Sequence, residues 1–229
     1  GGRDPDVLMA ALAPRSGDVA EAVADAEVVI EAIVEDPDLK ARAWAELGAA
    51  APAGALLCTN TSSLSVTALA EASGRPERFC GLHFFNPVPV LPLVEVVRGE
   101  TTPEATVAEA EAFATGLGKT PVRCLDRPGF LVNRLLIPYL NEAAQLADEG
   151  AAEPEAIDTA MRLGAGVPMG PLALADLVGV DVVLAIMESL HAEFGDPRYR
   201  PAPLLRRMVR AGRLGRKSGR GFFDYGGEA

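Results

Sequence analysis

The 229-residue sequence has no uninterrupted apolar run long enough to cross a bilayer, and its opening residues, GGRDPDVLMA, lack the basic-then-apolar pattern of a signal peptide. Acidic residues outnumber basic ones, and the net charge of -11 disfavours nonspecific binding to nucleic acid, because most of the surface would repel a polyanion. Only three cysteines occur, Cys58, Cys80 and Cys124, and each lies in a strand-like segment, which argues against a disulfide framework or a metal site. These absences predict a cytoplasmic protein that binds no membrane, nucleic acid or metal.

The composition that is present is typical of a folded protein. Hydrophobic residues make up 49% of the chain and charged residues 23%, which excludes a disordered or fibrous protein. The length allows one large domain or two of ordinary size. The order of the predicted elements decides between these two possibilities.

The first half of the chain alternates short apolar runs with longer helical patterns. Strand-like runs occupy residues 25–36, 54–60, 78–85, 92–99 and 120–126. Helical patterns lie between them, and Ser65 is placed to cap the one that reads SVTALAEAS. Strands that alternate with helices predict a mainly parallel sheet with helices on its faces, which is a doubly wound α/β domain.

The second half changes character at residue 126, where the segment DRPGFLVNRLL begins. Strand signals stop there, and the apolar periodicity predicts about four helices, over residues 127–149, 153–163, 170–194 and 201–212. Pro128 suits a first helical turn, whereas Pro138 lies inside the same pattern and predicts a kink. We therefore predict an α/β domain over residues 1–125 and an all-α domain over residues 126–229.

Two titratable side chains, His83 and Glu95, stand in the otherwise almost wholly apolar run GLHFFNPVPVLPLVEVV, residues 81–97. If the two strands of this run lie side by side, Glu95 can accept a hydrogen bond from one imidazole nitrogen and leave the other as a general base. The spacing alone also allows a core histidine bonded to a backbone carbonyl and a glutamate at a strand edge.

Polar residues without an evident structural role favour an active site near this run. The segment NTSSLS, residues 60–65, directly follows an apolar strand, and open α/β sheets bind their ligands at the carboxyl ends of strands. Ser63 and Ser65 suit helix capping, which leaves Asn60 and Ser62 over. Asn133 is a similar amide among apolar residues at the start of a predicted helix. Several such groups that converge indicate a site.

Motifs distributed along the chain resemble the L-3-hydroxyacyl-CoA dehydrogenase family, from about residue 25 to residue 225. The matching segments are TNTSSLS, GLHFFNPVPVLPLVEVV, DRPGFLVNRLLIPYLNEA, DTAMRLGAGVPMGPLALADLVGVD and GRKSGRGFFDY. The resemblance implies NAD-dependent oxidation of an L-3-hydroxyacyl-CoA to a 3-ketoacyl-CoA. It also implies a Rossmann-like NAD-binding domain, followed by a helical domain that closes the substrate cleft and forms a homodimer.

The resemblance assigns roles to individual residues. His83 resembles the general base of the family and Glu95 the carboxylate that orients it. Ser62 and Asn133 resemble the residues that hydrogen-bond the 3-oxygen of the acyl-CoA substrate. The residues that resemble contacts to the nicotinamide half of NAD are Glu35, Lys40, Ser62, Asn86 and Lys217.

The sequence departs from the family pattern at its start. Residues 1–125 contain no G-x-G-x-x-G turn between a strand and a helix, the element that seats the pyrophosphate of a dinucleotide, and the first residue is not methionine. We expect that roughly the first third of the family domain is missing, and that NAD affinity falls with it. The missing turn favours one alternative, a non-catalytic dimerising fragment of such an enzyme. Within the dehydrogenase class, a family relative that acts on a free sugar acid is the other alternative.

Overall fold

A computed structural model describes residues 17–226, so the opening segment GGRDPDVLMA, for which the sequence predicts no signal peptide, lies outside the described residues. Two compact units adjoin in sequence between Asp126 and Arg127, and each has a hydrophobic core of its own. None of the helices between residues 17 and 226 combines the length and the apolar character that a membrane-spanning segment needs.

The first unit is built on a five-stranded sheet in the order β1 to β5. Its strands are Val28–Glu31, Leu56–Thr59, Phe79–Phe84, Leu93–Arg98 and Thr120–Leu125. β1, β2 and β3 pair in parallel, β4 runs antiparallel to β3, and β5 is parallel to β4. The predicted α/β class is confirmed. The direction reverses at β4 because the segment 85–92 is too short for the crossover that a parallel connection needs.

Four helices accompany this sheet within the described residues: α1 Val19–Val23, α2 Pro37–Ala50, α3 Val66–Ala72 and α4 Glu104–Gly116. The predicted start of α3 is confirmed, since the Ser65 side chain accepts a hydrogen bond from the Ala68 amide. The core includes the apolar face of α4 and the facing strand residues, among them the buried and unbridged Cys58 and Cys80.

A close approach between α2 and α3 depends on Gly48. A Cβ atom at this position would lie 1.9 Å from the backbone oxygen of Ser73, the residue that ends α3. Only a residue without a side chain lets the two helices pack at this distance. Lys40 and Trp44, on the same helix, are fully buried.

The second unit is helical, as predicted. Its helices are α5 Val132–Asp148, α6 Pro154–Gly164, α7 Pro171–Val178, α8 Val180–Phe194 and α9 Pro203–Arg210. Two predicted bounds were wrong. The helix expected from residue 127 begins at Val132, because Gly129 and Phe130 have φ values of 76° and 47° that no α-helix contains. The helix expected over 170–194 is broken at Gly179, whose φ is 106°.

Two buried aspartates organise the second unit. Asp158 accepts hydrogen bonds from the Leu172 and Ala173 amides at the start of α7. Asp176 of α7 accepts hydrogen bonds from the Phe222 and Phe223 amides, and so fastens the C-terminal segment to the helix. Burial raises the pKa of Asp176 above its ordinary value, although these amides counteract the effect.

Candidate active site

His83 and Glu95 lie opposite each other on β3 and β4. Nδ1 of His83 is 2.7 Å from Oε2 of Glu95, and both residues are buried, with exposed fractions of 4% and 0%. Directly paired residues of antiparallel strands carry their side chains on the same face, which explains the contact. The Phe85 ring packs beside the imidazole, with ring centroids 4.5 Å apart. The side-by-side arrangement that the sequence allowed is therefore present.

This pairing determines what the imidazole can do. A neutral histidine that faces a carboxylate through Nδ1 carries its proton on that nitrogen, so proton exchange with a substrate falls to Nε2. The buried carboxylate also stabilises the imidazolium that forms when Nε2 takes up a proton. The pair has the chemistry of a general base that can also return its proton as an acid.

Glu35 gathers a second group of polar residues at the same edge of the sheet. It lies in the turn after β1, and its Oε1 accepts hydrogen bonds from the Thr61 hydroxyl at 2.5 Å and from the Ser62 and Ser63 amides at 2.8 Å and 3.0 Å. Its Oε2 is 3.3 Å from the Lys40 ammonium. Burial raises the pKa of Glu35, but the hydrogen bonds and the ammonium outweigh it and hold the pKa below its ordinary value. Glu35, Lys40 and Ser62 are thus brought together.

Glu31 is a member of this group that the sequence pattern did not indicate. It is the last residue of β1, it is buried, and its carboxylate is 2.5 Å from the Lys40 ammonium. The signal was an acidic residue inside the apolar run VVIEAIV, followed by a lysine at the start of the next helix. The family resemblance assigns Lys40 to cofactor binding and gives Glu31 no role.

Three other polar residues that the sequence singled out lie in the first unit, and the structure shows what each of them contacts or whether it is exposed. The prediction that Asn60 has no structural role is wrong. Its side-chain Oδ1 accepts a hydrogen bond from the Phe84 backbone amide, and its backbone amide donates to the Glu31 carbonyl, so it joins the ends of neighbouring strands. Ser63 donates its hydroxyl to Glu35 instead of capping a helix. Asn86 is exposed in the loop that follows β3.

Asn133 and Lys217 belong to the second unit. Asn133 is half-buried in the first turn of α5. The Lys217 ammonium lies 2.6 Å from Oδ1 of Asp181, near the start of α8, and both side chains are partly exposed. Across residues 17–226, no three histidine, cysteine, aspartate or glutamate residues cluster as ligands for a metal ion.

Family models match both units of the chain. The model of the 3-hydroxyacyl-CoA dehydrogenase NAD binding domain matches residues 4–127. The model of the 3-hydroxyacyl-CoA dehydrogenase C-terminal domain matches residues 129–225. Together the two matches account for nearly the whole chain.

Individual relatives agree with the family models. A probable 3-hydroxybutyryl-CoA dehydrogenase of Deinococcus radiodurans is 55% identical over 202 residues, which is 88% of this chain and 73% of the relative. One of Bacillus subtilis is 52% identical over 200 residues, which is 87% of this chain and 70% of the relative. The crystal structure of (S)-3-hydroxybutyryl-CoA dehydrogenase from Ralstonia eutropha superposes with a TM-score of 0.88 at 48% identity, covering 92% of this chain and 74% of that one.

Proposed function

Because the chain belongs to the 3-hydroxyacyl-CoA dehydrogenase family, we propose that His83 and Glu95 carry the proton transfer of its reaction. That reaction is the NAD-dependent oxidation of a 3-hydroxyacyl-CoA to the 3-ketoacyl-CoA. The observation that carries the assignment is the buried 2.7 Å contact between His83 Nδ1 and Glu95 Oε2 at the end of β3. It is the arrangement that a reversible general base requires.

Each residue of the proposed centre has one task. His83 takes the proton of the substrate hydroxyl on Nε2 during oxidation and returns it during reduction. Glu95 holds the ring orientation and stabilises the imidazolium. The family resemblance assigns the hydrogen bonds to the 3-oxygen, which orient the carbon that reacts, to Ser62 and Asn133. NAD, when bound, supplies the acceptor for the hydride of that carbon.

The residues at the sheet edge fit the nicotinamide half of NAD. Glu35 and Lys40 place charged groups where the parallel strands β1 and β2 end, the position at which open α/β sheets bind ligands. Ile33 and Val34, exposed beside Glu35, provide apolar surface for a ring. We propose that Glu35 and Ser62 contact the cofactor, as does Asn86, and that the buried Lys40 acts on it through Glu35. Lys217 is assigned to the cofactor by the family resemblance alone.

We propose a short-chain substrate, 3-hydroxybutyryl-CoA. The support is the similarity to relatives from several bacteria that carry this activity in their names, at identities of 49% to 55%.

A cytoplasmic location and the lack of nucleic-acid binding stay predictions. The net charge of -11 supports the lack of nucleic-acid binding.

The test is NADH consumption with acetoacetyl-CoA. The chain contains two histidines, so His191→Asn is a matched control for His83→Asn. We expect turnover by the wild type, a loss of at least about 100-fold in kcat for His83→Asn, and little change for His191→Asn. Equal activity of the two variants would remove His83 from the mechanism, and no turnover by the wild type would contradict the dehydrogenase activity of this chain.

We further propose that the helical unit forms the homodimer contact. An apolar groove of about 320 Å³ lies between α5 and α6, lined by Ala143, Leu146, Ala151, Ala152, Ala156, Ala160 and Met161, among others. An open apolar surface of this kind favours a protein partner, and a second copy of the chain is the partner that the family resemblance implies.

Light scattering after size-exclusion chromatography tests this contact. Ala160→Glu puts a charge into the groove, and we expect it to shift the protein from dimer to monomer. Thr159→Glu is the control, because Thr159 is exposed on the same helix but lies outside the groove. A monomeric wild type, or a dimeric Ala160→Glu variant, would contradict the proposal.

A further inference from the structure

Glu31 is 4% exposed, and no step of the proposed reaction uses it. Its Oε1 accepts hydrogen bonds from the Ile33 amide at 2.8 Å and the Lys40 ammonium at 2.5 Å. Its Oε2 accepts hydrogen bonds from the Trp44 indole at 3.2 Å and the Thr59 hydroxyl at 2.8 Å. An ionised carboxylate accepts about four hydrogen bonds, so this one is saturated by the protein. Any effect of Glu31 on function must therefore pass through the groups that it holds.

Lys40 is the group that connects Glu31 to the proposed cofactor contacts. Its buried ammonium contacts Oε1 of Glu31, the Ile33 carbonyl oxygen at 3.2 Å and Oε2 of Glu35 at 3.3 Å. A buried ammonium needs a compensating charge, and Glu31 is the nearer and more deeply buried of its two carboxylates. Glu31 thus fixes where the ammonium lies, and the ammonium holds one oxygen of Glu35.

The turn between β1 and α2 is held from within by the same pair. Ile33 donates its amide to Glu31 and accepts at its carbonyl from Lys40, so both polar groups of this residue point to the pair. The Ile33 and Val34 side chains are left 46% and 67% exposed. A change at Glu31 is therefore expected to move the turn that carries Glu35.

We propose that Glu31 is a positioning residue for NAD: by holding Lys40 and the Ile33 amide, it fixes the turn that presents Glu35 to the nicotinamide half of the cofactor. This inference rests on the proposed function, which assigns Glu35 and Lys40 to NAD. Two carboxylates share one ammonium here, so the group carries one excess negative charge. That charge favours the positively charged oxidised nicotinamide over the neutral reduced one.

Trp44 provides a readout that does not depend on turnover. It is the only tryptophan of the chain, and its indole donates a hydrogen bond to Glu31, so its fluorescence reports directly on this group. The wild type, Glu31→Gln and Glu27→Gln are titrated with NAD+ and with NADH, by Trp44 emission and by calorimetry. Glu27, exposed just before β1, gives the same change of charge without these contacts.

We expect Glu31→Gln to raise the Kd for NAD+ about tenfold, equivalent to ~1.4 kcal/mol, and the Kd for NADH by a smaller factor. Glu27→Gln should leave both constants unchanged. If the role of Glu31 were purely structural, Glu31→Gln would weaken the binding of NAD+ and of NADH by the same factor. Equal increases in the two Kd values would therefore overturn the electrostatic part of the proposal.

A second pair of variants tests whether Glu31 acts through the ammonium. Lys40→Met is measured alone and combined with Glu31→Gln. The double variant should lose less NAD+ affinity than the sum of the two single losses, because Glu31 acts in part through the Lys40 ammonium. It also removes both charges of the buried pair, so it remains measurable if Glu31→Gln fails to fold.

The outcomes separate this inference from the proposed function. An unchanged Kd for NAD+ in Glu31→Gln, or additive losses in the double variant, would overturn the positioning role and leave the proposed function standing. A wild type that binds neither NAD+ nor NADH would overturn both the positioning role and the proposed cofactor contacts.

Discussion

Three glutamates of the first unit, Glu31, Glu35 and Glu95, each hold a different kind of donor. Glu95 faces an imidazole, Glu35 gathers backbone amides and hydroxyls from the turn after β2, and Glu31 holds a buried ammonium. A carboxylate that faces a titratable ring affects proton transfer. One that faces fixed donors affects the positions of the groups that it holds. Variants of these residues should therefore differ in which step of the reaction they change.

Glu95→Gln should affect turnover and spare substrate binding. The amide cannot stabilise the imidazolium, so we expect kcat for acetoacetyl-CoA reduction to fall by about 100-fold, with KM within about threefold of the wild type. Glu109→Gln, on the surface beside Arg78, is the control. A rise in KM without a loss in kcat would mean that Glu95 serves binding.

Glu35 should make stability depend on pH in a defined direction. Its pKa in the folded protein lies below its ordinary value near 4.5, so the folded state favours the ionised form. Its contribution is fully present above that ordinary value and is lost as the pH falls through the lower folded value. The Tm difference between wild type and Glu35→Gln should thus be larger at about pH 7 than at about pH 3. Glu46→Gln, an exposed change on α2, should show no such difference between the two pH values.

At this scale, the sequence alone predicted the pairing of His83 and Glu95 but not the contacts of Glu31 and Asn60. His83 and Glu95 were evident because titratable groups are rare in an apolar run, and the structure pairs them. Glu31 was missed because an acidic residue inside a strand pattern does not reveal its partner, which lies on the following helix. Asn60 was misjudged for a similar reason, since its bonds to the backbone join strands that only the folded sheet brings together.

At the scale of helices and strands, α2 and α3 are joined by a contact that tolerates no side chain. Gly48 lies against the Ser73 carbonyl at the end of α3, and α2 also carries Lys40. A shift of α2 to make room at Gly48 would therefore also disturb the buried ion pair of Lys40. Packing between these helices and the geometry of the candidate site are thus coupled.

Gly48→Ala should lower the free energy of unfolding by about 1–3 kcal/mol, because the added methyl group overlaps a backbone oxygen. Gly116→Ala is the matched control. Gly116 ends α4 with no atom within 4 Å of an added Cβ, so the same substitution should be neutral or stabilising by up to about 1 kcal/mol. Urea unfolding of both variants measures the difference, and equal stabilities would contradict the overlap.

Element boundaries were predictable where local chemistry sets them. Ser65 was expected to cap α3 and does so through its own side chain. The break at Gly179 was not expected, because the apolar periodicity continues across it from α7 into α8. The sequence around a glycine inside such a pattern does not show whether the helix continues through it or ends there.

At the scale of the whole molecule, residues 17–226 include two sets of core residues, one in each unit. The first lies between the sheet and α4, and the second is formed by α5, α7, α8 and α9. A substitution in one core should therefore act mainly on the amides of its own unit.

Hydrogen exchange measured by mass spectrometry checks this expectation. Gly48→Ala should speed exchange in peptides from α2, α3 and β1 to β3, while peptides from α5 and α8 keep the protection of the wild type. Gly170→Ala should instead speed exchange in the helices of the second unit and leave the first unit unchanged. Its Cβ would lie 2.1 Å from the Asp158 side chain, which caps α7. Loss of protection in both units from either substitution would show that the two cores unfold together.

The antiparallel pairing of β3 and β4 has a consequence for the order in which the site assembles. His83 and Glu95 are separated by 12 residues along the chain, whereas Glu31 and Thr59 are separated by 28. The entropy lost on closing a loop rises with its length, so the acid–base pair has the less costly closure. It can form within a single hairpin while the chain is still being synthesised. The cofactor-facing group instead requires β1, α2 and β2 to meet, so we expect it to form after the acid–base pair.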